Sequence, residues 1–425
     1  VVATILKVSE PVPLPTVALL IIVGQVLLMG ISSSTVARSL MNDSVFFIMG
    51  SLMLAVAVVK QKLDKRIALL IIRVTGAKTV RVAFGITVTS GIMASFIGEH
   101  TVAAMMLPVG LTLITLTAED DTKGTRNLAA ILLFSIAYGC SVAGIGTPSG
   151  GARNAIMIGY WQQFQGIEID YLKWMLYAYP MFLLQLPFVT LILFMTFRSE
   201  HSDLSPAVAK LEKQVETQGP LQASDWVAMT LFFMVLMGWV FFSGSIGMGT
   251  VAILGAAAFL VAGLVKWEDL NSGVNWGVVL LYAAAISLGV QMKETGAAQW
   301  VAESFLAMLT PIGADQGAGL WLSVSLLTTG VTNTMSNGAA VAVLGPIVLN
   351  LAEAAKESPL VIGFITSISS AFAYLTVVGT PACTIVYASG YLKTKDFLVV
   401  GWKMVLMSTI LMMIFAATYW PLIGI

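Results

Sequence analysis

Charged residues are scarce in this chain of 425 residues. They make up 10% of it, with 22 Lys and Arg balanced by 22 Asp and Glu, whereas an ordinary soluble domain carries roughly 25%. Hydrophobic residues make up 58%, and the mean hydropathy is +0.90. So few charges cannot cover the surface of a soluble protein of this size, which excludes a soluble enzyme and a disordered chain. The net charge of zero also gives no electrostatic footprint for a nucleic-acid partner.

Cysteine and histidine are scarce as well. Cys140 and Cys383 are too few for a disulfide framework or a cysteine-ligated metal site. His100 and His201 are the only histidines, which nearly excludes a histidine-ligated metal centre. We therefore expect no cofactor.

Long apolar runs are abundant instead. A membrane-spanning helix needs about 20 mostly apolar residues, and the chain has thirteen candidate runs, several of them interrupted by Gly, Pro or polar residues. We predict an all-α polytopic membrane protein with about 11 transmembrane helices plus two re-entrant hairpins. A transmembrane barrel is excluded because period-2 alternation is absent. The lipid bilayer is thus the first predicted partner.

Two polar segments predict orientation and domain boundaries. Lys60–Arg81 holds seven basic residues and one acid, so this loop and the N-terminus are predicted to be cytoplasmic, with the protein in the inner (plasma) membrane. Residues 198–224 form a polar linker, and its stretch from Pro206 onward predicts a short amphipathic surface helix. The predicted domains are an N-terminal span and connector (1–43), a first inverted repeat (44–197), the linker (198–224) and a second inverted repeat (225–425).

The two halves share a pattern. Residues 99–108 and 337–346 each place a polar cluster before a proline, with small residues between them. Downstream, residues 144–154 and 378–384 each contain a Gly-Thr-Pro break. Paired broken segments at matching positions are typical of inverted-topology repeats in secondary transporters, with hairpin tips predicted near 98–101 and 332–338.

Broken helices free backbone groups that can bind ions. Amides at half-helix N-termini suit the oxygens of an anion, and freed carbonyls with side-chain oxygens suit a hard cation such as Na⁺. The alternative is that these polar residues only bond across packed helices. The neutral donors and acceptors at the second tip are Thr332, Asn333, Thr334, Ser336 and Asn337.

With these motifs the chain resembles the divalent anion/sodium symporter (DASS) family, the sodium-dicarboxylate and sulfate carriers. That family repeats a Ser-Asn-Thr motif at each hairpin tip, and Ser336-Asn337-Gly338 keeps two of its three residues. Gly379-Thr380-Pro381 resembles the family's second break. The resemblance implies that Asn337 contacts both substrate and sodium, and that Thr380 and Pro381 border the substrate. It further implies a sodium site completed by Thr332 and by the carbonyls of Met335 and Gly379.

The first half departs from the family pattern. The Ser-Asn-Thr position reads Gly98-Glu99-His100, and a further sodium-ligating serine is replaced by Ala94. Where the family usually has Gly-Thr-Pro-Pro-Asn, this chain has Gly150–Asn154, which includes Arg153. Two side-chain oxygens expected around the first sodium are therefore missing, and three ionisable residues replace them.

Four interpretations of Glu99, His100 and Arg153 remain open from the sequence. Ionisable groups at membrane depth face cavities and pair with one another. Arg153 could supply a fixed positive charge in a sodium-independent exchanger, or Glu99, with Gly150, could remain a sodium ligand. Glu99 or His100 could instead carry a proton, or the group could be an ion pair that only holds the hairpin together.

The expected function is secondary active transport of a small dianion, most simply a C4 dicarboxylate such as succinate or malate, by alternating access. The resemblance implies a homodimer, with Na⁺ as the coupling ion or with Na⁺-independent exchange. Alternatives are a sulfate or other dianion transporter, an H⁺-coupled carrier, a channel and an intramembrane enzyme; we expect no enzymatic activity, because no nucleophile shows a triad pattern. The predicted substrate-binding residues are Glu99, His100, Thr101, Arg153, Ser336, Asn337, Gly338, Thr380 and Pro381.

Overall fold

The computed structural model describes residues 13–61, 76–118, 125–199, 201–206, 208–209, 213 and 222–425. Over these residues the chain is helical, and it contains no strand beyond an isolated bridge between Lys78 and Asp203. The predicted all-helical class is therefore confirmed. Most of the basic segment 60–81 and most of the predicted surface helix after Pro206 lie outside the described residues.

The described residues of the first half form eight α-helices and one short 3₁₀ helix. They are α1 (Leu14–Leu27), α2 (Ser33–Leu40), α3 (Asp43–Lys60), α4 (Thr79–Ile97), α5 (Glu99–Ala118), α6 (Thr125–Ala143), the 3₁₀ helix Pro148–Gly150, α7 (Ala152–Gln165) and α8 (Tyr171–Thr196).

The second half follows the polar linker. Its helices are α9 (Ala223–Ile246), α10 (Met248–Val261), α11 (Trp267–Gly273), α12 (Trp276–Glu294), α13 (Ala297–Leu309), α14 (Gly317–Thr332), α15 (Asn337–Ala355), α16 (Pro359–Ser369), α17 (Pro381–Tyr387), α18 (Thr394–Ile414) and α19 (Trp420–Leu422). A 3₁₀ turn (Thr310–Ile312) follows α13, and a π-helical turn (Phe415–Tyr419) joins α18 to α19.

Nine helices of the described part of the chain are long and apolar enough to cross a membrane, and four shorter apolar helices accompany them. These features agree with a polytopic membrane protein, because a helix satisfies its own backbone groups in lipid. The predicted number of 11 spans, and the re-entrant character of the two hairpins, stay predictions.

The two predicted hairpin tips are tight turns between consecutive helices. Gly98 separates α4 from α5 with φ +87°, a left-handed value that favours glycine. The second tip, residues 333–336, separates α14 from α15. Pro108 and Pro346 lie inside the helices that follow the tips. Each tip thus ends with the N-terminus of a long helix.

The two Gly-Thr-Pro segments also have matching local structures. Thr147 caps the 3₁₀ helix by accepting a hydrogen bond from Gly150 N at 3.1 Å. Thr380 caps α17 in the same way, accepting from Cys383 N at 3.1 Å. Thr and Pro are favourable at these two positions because Thr satisfies a free amide and Pro has none to satisfy.

Tyr160 of α7 connects the two halves. Its hydroxyl lies 3.2 Å from the carbonyl oxygen of Ala285 in α12 and 2.8 Å from that of Ala342 in α15. If Gly289 or Gly345 were replaced by a larger residue, its Cβ would lie within 2.6 Å of the tyrosine ring or hydroxyl, which is a steric clash. Glycine at these two positions therefore lets the aromatic side chain pass between α12 and α15, next to the region where the hairpin tips meet.

Candidate functional site

Both hairpin tips open onto one central cavity of about 490 Å³. Its other walls are one face of α3 and the first turns of α12. The cavity is lined by eight of the thirteen residues predicted for substrate or sodium sites. These are Glu99, His100, Gly150, Arg153, Ser336, Asn337, Gly338 and Pro381.

Three helices begin at the wall of this cavity. α5 starts at Glu99, α7 at Ala152 and α15 at Asn337, and each of these residues lines the cavity. A helix N-terminus exposes free amides and carries a partial charge of about +0.5. Three such termini around one space create a region that favours an anion.

Arg153 brings a full positive charge to the same space. Its side chain is only 1% exposed, and Nη1 lies 3.4 Å from Glu99 Oε1. Its Nε and Nη2 have no hydrogen-bond partner in the described part of the chain. A Cβ at Gly144 would overlap Nη2, and one at Gly151 would lie 2.8 Å from Nη1. These two glycines therefore make room for the guanidinium.

Glu99 links the two halves of the site. Its Oε1 is the oxygen next to Arg153, and it also accepts a hydrogen bond from Asn337 Nδ2 at 3.3 Å. Its Oε2 is buried and has no partner among the described residues. The structure thus brings together Glu99, Arg153 and Asn337, which are far apart in sequence.

A cluster of neutral oxygens lies on the other side of Asn337. Thr332 Oγ1 is 3.0 Å from Asn337 Oδ1 and 2.6 Å from the carbonyl oxygen of Ser370. Hydroxyl, amide and carbonyl oxygens at such spacing form the donor set that a hard cation prefers. Of the predicted sodium residues, Thr332 and Asn337 meet here, and the Ser370 carbonyl was not foreseen.

Other predicted residues lie away from the central cavity. The Thr380 hydroxyl is occupied in capping α17 and also accepts from Ser141 Oγ at 3.4 Å. Met335 packs with neighbouring alanines, and Gly379 packs tightly against Ala373. Thr101 lines an adjacent cavity. These placements give Thr380 a positioning role in the break.

Each break is held by a buried asparagine. Asn154 Nδ2 donates to the Thr147 carbonyl at 2.7 Å. Asn333 Nδ2 donates to the Phe372 carbonyl at 3.1 Å, and its Oδ1 accepts from Leu375 N at 3.0 Å. Sequence reasoning noted both asparagines among the polar residues of the broken segments but assigned them no such role.

Tyr282 of α12 is a cavity residue that sequence reasoning missed. It lines the central cavity, and a Cβ at Gly338 would overlap its hydroxyl. Gly338 at the tip is therefore required for this close approach. A tyrosine inside an apolar run carries no sequence signal that separates a cavity wall from ordinary packing.

Solved structures of other transporters share this fold. The YdaH transporter of Alcanivorax borkumensis aligns with a TM-score of 0.59 at 12% identity, covering 92% of this chain and 88% of that one. MtrF of Neisseria gonorrhoeae, from a class described as antimetabolite efflux pumps, aligns with a TM-score of 0.57 at 11% identity, covering 93% and 83%. At these identities the similarity extends to the fold alone.

Comparison of the sequence is more specific. A sodium-dependent high-affinity dicarboxylate transporter (number 3) of Caenorhabditis elegans is 27% identical over 92% of this chain and 77% of its own length. The sodium-dependent dicarboxylate transporter SdcS of Staphylococcus aureus is 25% identical over 98% and 84%. The family model described as the sodium:sulfate symporter transmembrane region matches residues 1–425. The resemblance seen in the hairpin motifs is thereby confirmed: the chain belongs to the sodium:sulfate symporter (DASS) family.

Proposed function

We propose that the protein is a secondary active transporter of small dianions, with C4 dicarboxylates such as succinate and malate as preferred substrates. The observation that carries the proposal is the convergence of three helix N-termini and the positively charged Arg153 on one cavity. The printed names of two relatives, both sodium-dependent dicarboxylate transporters, support this substrate class. The volume of the cavity is within the range of small-molecule sites.

The charges around the cavity suit a dianion. The three helix N-termini together contribute about +1.5 elementary charges. Glu99 would by itself repel a dianion, but its charge is balanced by the guanidinium of Arg153, 3.4 Å away. Arg153 Nε and Nη2 are buried and have no partner in the described chain, and in this proposal a substrate carboxylate becomes their acceptor while Nη1 stays near Glu99.

The two halves contribute differently to coupling in this proposal. Sodium enters the second half as a co-substrate, held by Thr332 Oγ1, Asn337 Oδ1 and the Ser370 carbonyl. In the first half the guanidinium of Arg153 occupies the place of a coupling cation beside Glu99. One sodium-type site therefore remains, and the other positive charge is built into the chain.

The proposal also includes the setting of the carrier in the membrane. The basic segment 60–81 supports a cytoplasmic N-terminus in an inner (plasma) membrane. The matching tips and breaks support two inverted repeats, 44–197 and 225–425. Family membership supports a homodimer that works by alternating access and has no catalytic activity.

Uptake of labelled succinate into proteoliposomes tests the proposal. An inward sodium gradient should stimulate uptake with a single-site dependence on sodium, and unlabelled succinate should compete better than sulfate. Uptake that ignores sodium but requires internal dicarboxylate would replace symport with exchange. Uptake driven by a proton gradient alone would make Glu99 or His100 the coupling group, and stronger competition by sulfate would change the substrate class.

A further inference from the structure

One face of α3 lines two cavities in succession. Leu52 borders the central cavity on one side and a second cavity of about 420 Å³ on the other. The residues follow helical spacing and so form a single stripe. Toward the central cavity the stripe is Phe47, Ile48, Ser51 and Leu52; toward the second it is Leu52, Ala55, Val56, Val59 and Lys60.

The two cavities are direct neighbours. They share three wall residues, Leu52, His100 and Asn275. At a rise of 1.5 Å per residue, the stripe from Ser51 to Lys60 extends roughly 13 Å along α3. Together the two cavities, which we call the passage, therefore extend from the central site to the end of α3 at Lys60.

The opposite wall is formed by α11 and the turn into α12. Ser272, Gly273 and Asn275 line this side. A Cβ at Gly273 would lie 2.9 Å from Val56 Cγ1, so glycine allows the two walls to approach closely here. α3 and α11 are thus closely packed against each other at this point.

An ion pair stands at the outer end of the passage. Lys60 Nζ lies 2.5 Å from Asp269 Oδ1, with side chains 53% and 24% exposed. Asp269 Oδ2 is also fixed by the backbone N–H of Lys266 at 3.0 Å. Its hydrogen bond with Lys60 lowers the pKa of Asp269, which therefore stays ionised at neutral pH. Asp269 is anchored, whereas the long Lys60 side chain is able to swing.

We infer that the second cavity is a separate anion site, a vestibule in which one carboxylate of the substrate replaces Asp269 on the Lys60 ammonium. The inference rests on the proposed function for the identity of the anion. The exchange substitutes one carboxylate for another on the same cation, and Asp269 keeps its Lys266 hydrogen bond when Lys60 leaves. The dianion then moves past His100 to the helix N-termini of the central cavity.

Cysteine labelling in the full-length protein, held in nanodiscs with both faces accessible, tests the vestibule. Ser272→Cys places a thiol in its wall, while the native Cys140 and Cys383 are buried. We expect Lys60→Gln to slow labelling by an anionic methanethiosulfonate about tenfold, and to speed labelling by a cationic one. Asp269→Asn, which keeps an oxygen for the Lys266 amide, should have the opposite effect.

Substrate protection provides the second readout. Succinate should slow the labelling of Ser272→Cys when Lys60 is present and should protect far less in the Lys60→Gln background. Ser205→Cys is the matched control, since Ser205 is exposed and its neighbour Leu204 hydrogen-bonds to Ala77, just before α4. Its labelling should respond neither to succinate nor to Lys60.

The results separate the vestibule from the proposed function. Labelling rates that do not depend on the charge at position 60, or equal succinate protection with and without Lys60, would overturn the vestibule even if succinate uptake is robust. If uptake fails for succinate but the charge dependence holds and sulfate protects Ser272→Cys, the vestibule stands and the dicarboxylate proposal falls.

Discussion

The two hairpin tips have similar backbone shapes, but one carries charged side chains and the other carries neutral polar ones. Both present the N-terminus of a long helix to the same cavity, and both are followed by a Thr-capped break. Glu99 at the first tip forms a buried pair with Arg153 of α7, whereas the second tip carries the neutral oxygens of Thr332 and Asn337. In the proposed function, the first half of this repeated scaffold carries a covalently attached cation where the second half binds sodium.

The buried Glu99–Arg153 pair in the first half needs space for its side chains and partners for its polar atoms. A buried ion pair is costly unless its remaining donors and acceptors find partners. Here Gly144 and Gly151 give the guanidinium space, and Asn337 donates to Glu99. The donors left over in the described chain are Arg153 Nε and Nη2, and in the proposed function a substrate carboxylate accepts from them.

Removing the charge of Arg153 should produce the largest effect. We expect Arg153→Gln to lower succinate uptake, as kcat/KM, by about 100-fold, because it removes the built-in cation and leaves Glu99 buried without its partner. Arg153→Lys should retain part of the activity, since it keeps the charge but loses the planar fork. Initial rates of uptake in proteoliposomes measure both.

A double variant separates binding from folding. Glu99→Gln with Arg153→Gln removes both charges and so leaves no unpaired ion in the site. It should fold normally, as judged by gel filtration and thermal melting, and still bind succinate poorly. Uptake at the native level in the double variant would show that the pair only holds the hairpin together. Arg126→Gln, which alters a partly exposed pair with Asp396, is the matched control and should change uptake little.

The neutral oxygens of the second tip should respond to sodium instead. Thr332→Val removes one oxygen at nearly constant volume, and we expect the sodium concentration for half-maximal uptake to rise about tenfold. Thr328→Val is the control, because the Thr328 hydroxyl is equally buried but, among the described residues, bonds only to the Val324 carbonyl of its own helix. An unchanged sodium dependence in Thr332→Val would remove this oxygen cluster from the proposal.

Substitution of His100 should have the smallest effect on succinate uptake. It is exposed at the junction of the two cavities, and its Nε2 lies 3.3 Å from Thr101 Oγ1. We expect His100→Gln to change the KM for succinate by about twofold or less, since no buried charge is lost. Loss of a pH-dependent component of uptake in this variant would favour proton coupling through His100. It would contradict the proposal that Arg153 supplies the positive charge of the first half.

The local features of the site were largely predictable from sequence. Gly98, the Gly-Thr-Pro breaks and the polar clusters are short-range signals, since each sets a turn or a cap within a few residues. The Ser370 carbonyl and Tyr282 were not predictable. A backbone oxygen has no identity in the sequence, and Tyr282 reaches the tip only through the packing of α12 on α15.

The sequence by itself determined that the chain lies in a membrane, that it is helical and that it carries two similar broken segments, because hydropathy and turn chemistry act over short distances. Only the tertiary structure decided which groups share a cavity. Glu99 meets Arg153 and Asn337, 54 and 238 positions away, because helix packing brings the tips together and glycines open room between them. Charge pairing at that distance depends on the position of whole helices, which no local pattern encodes.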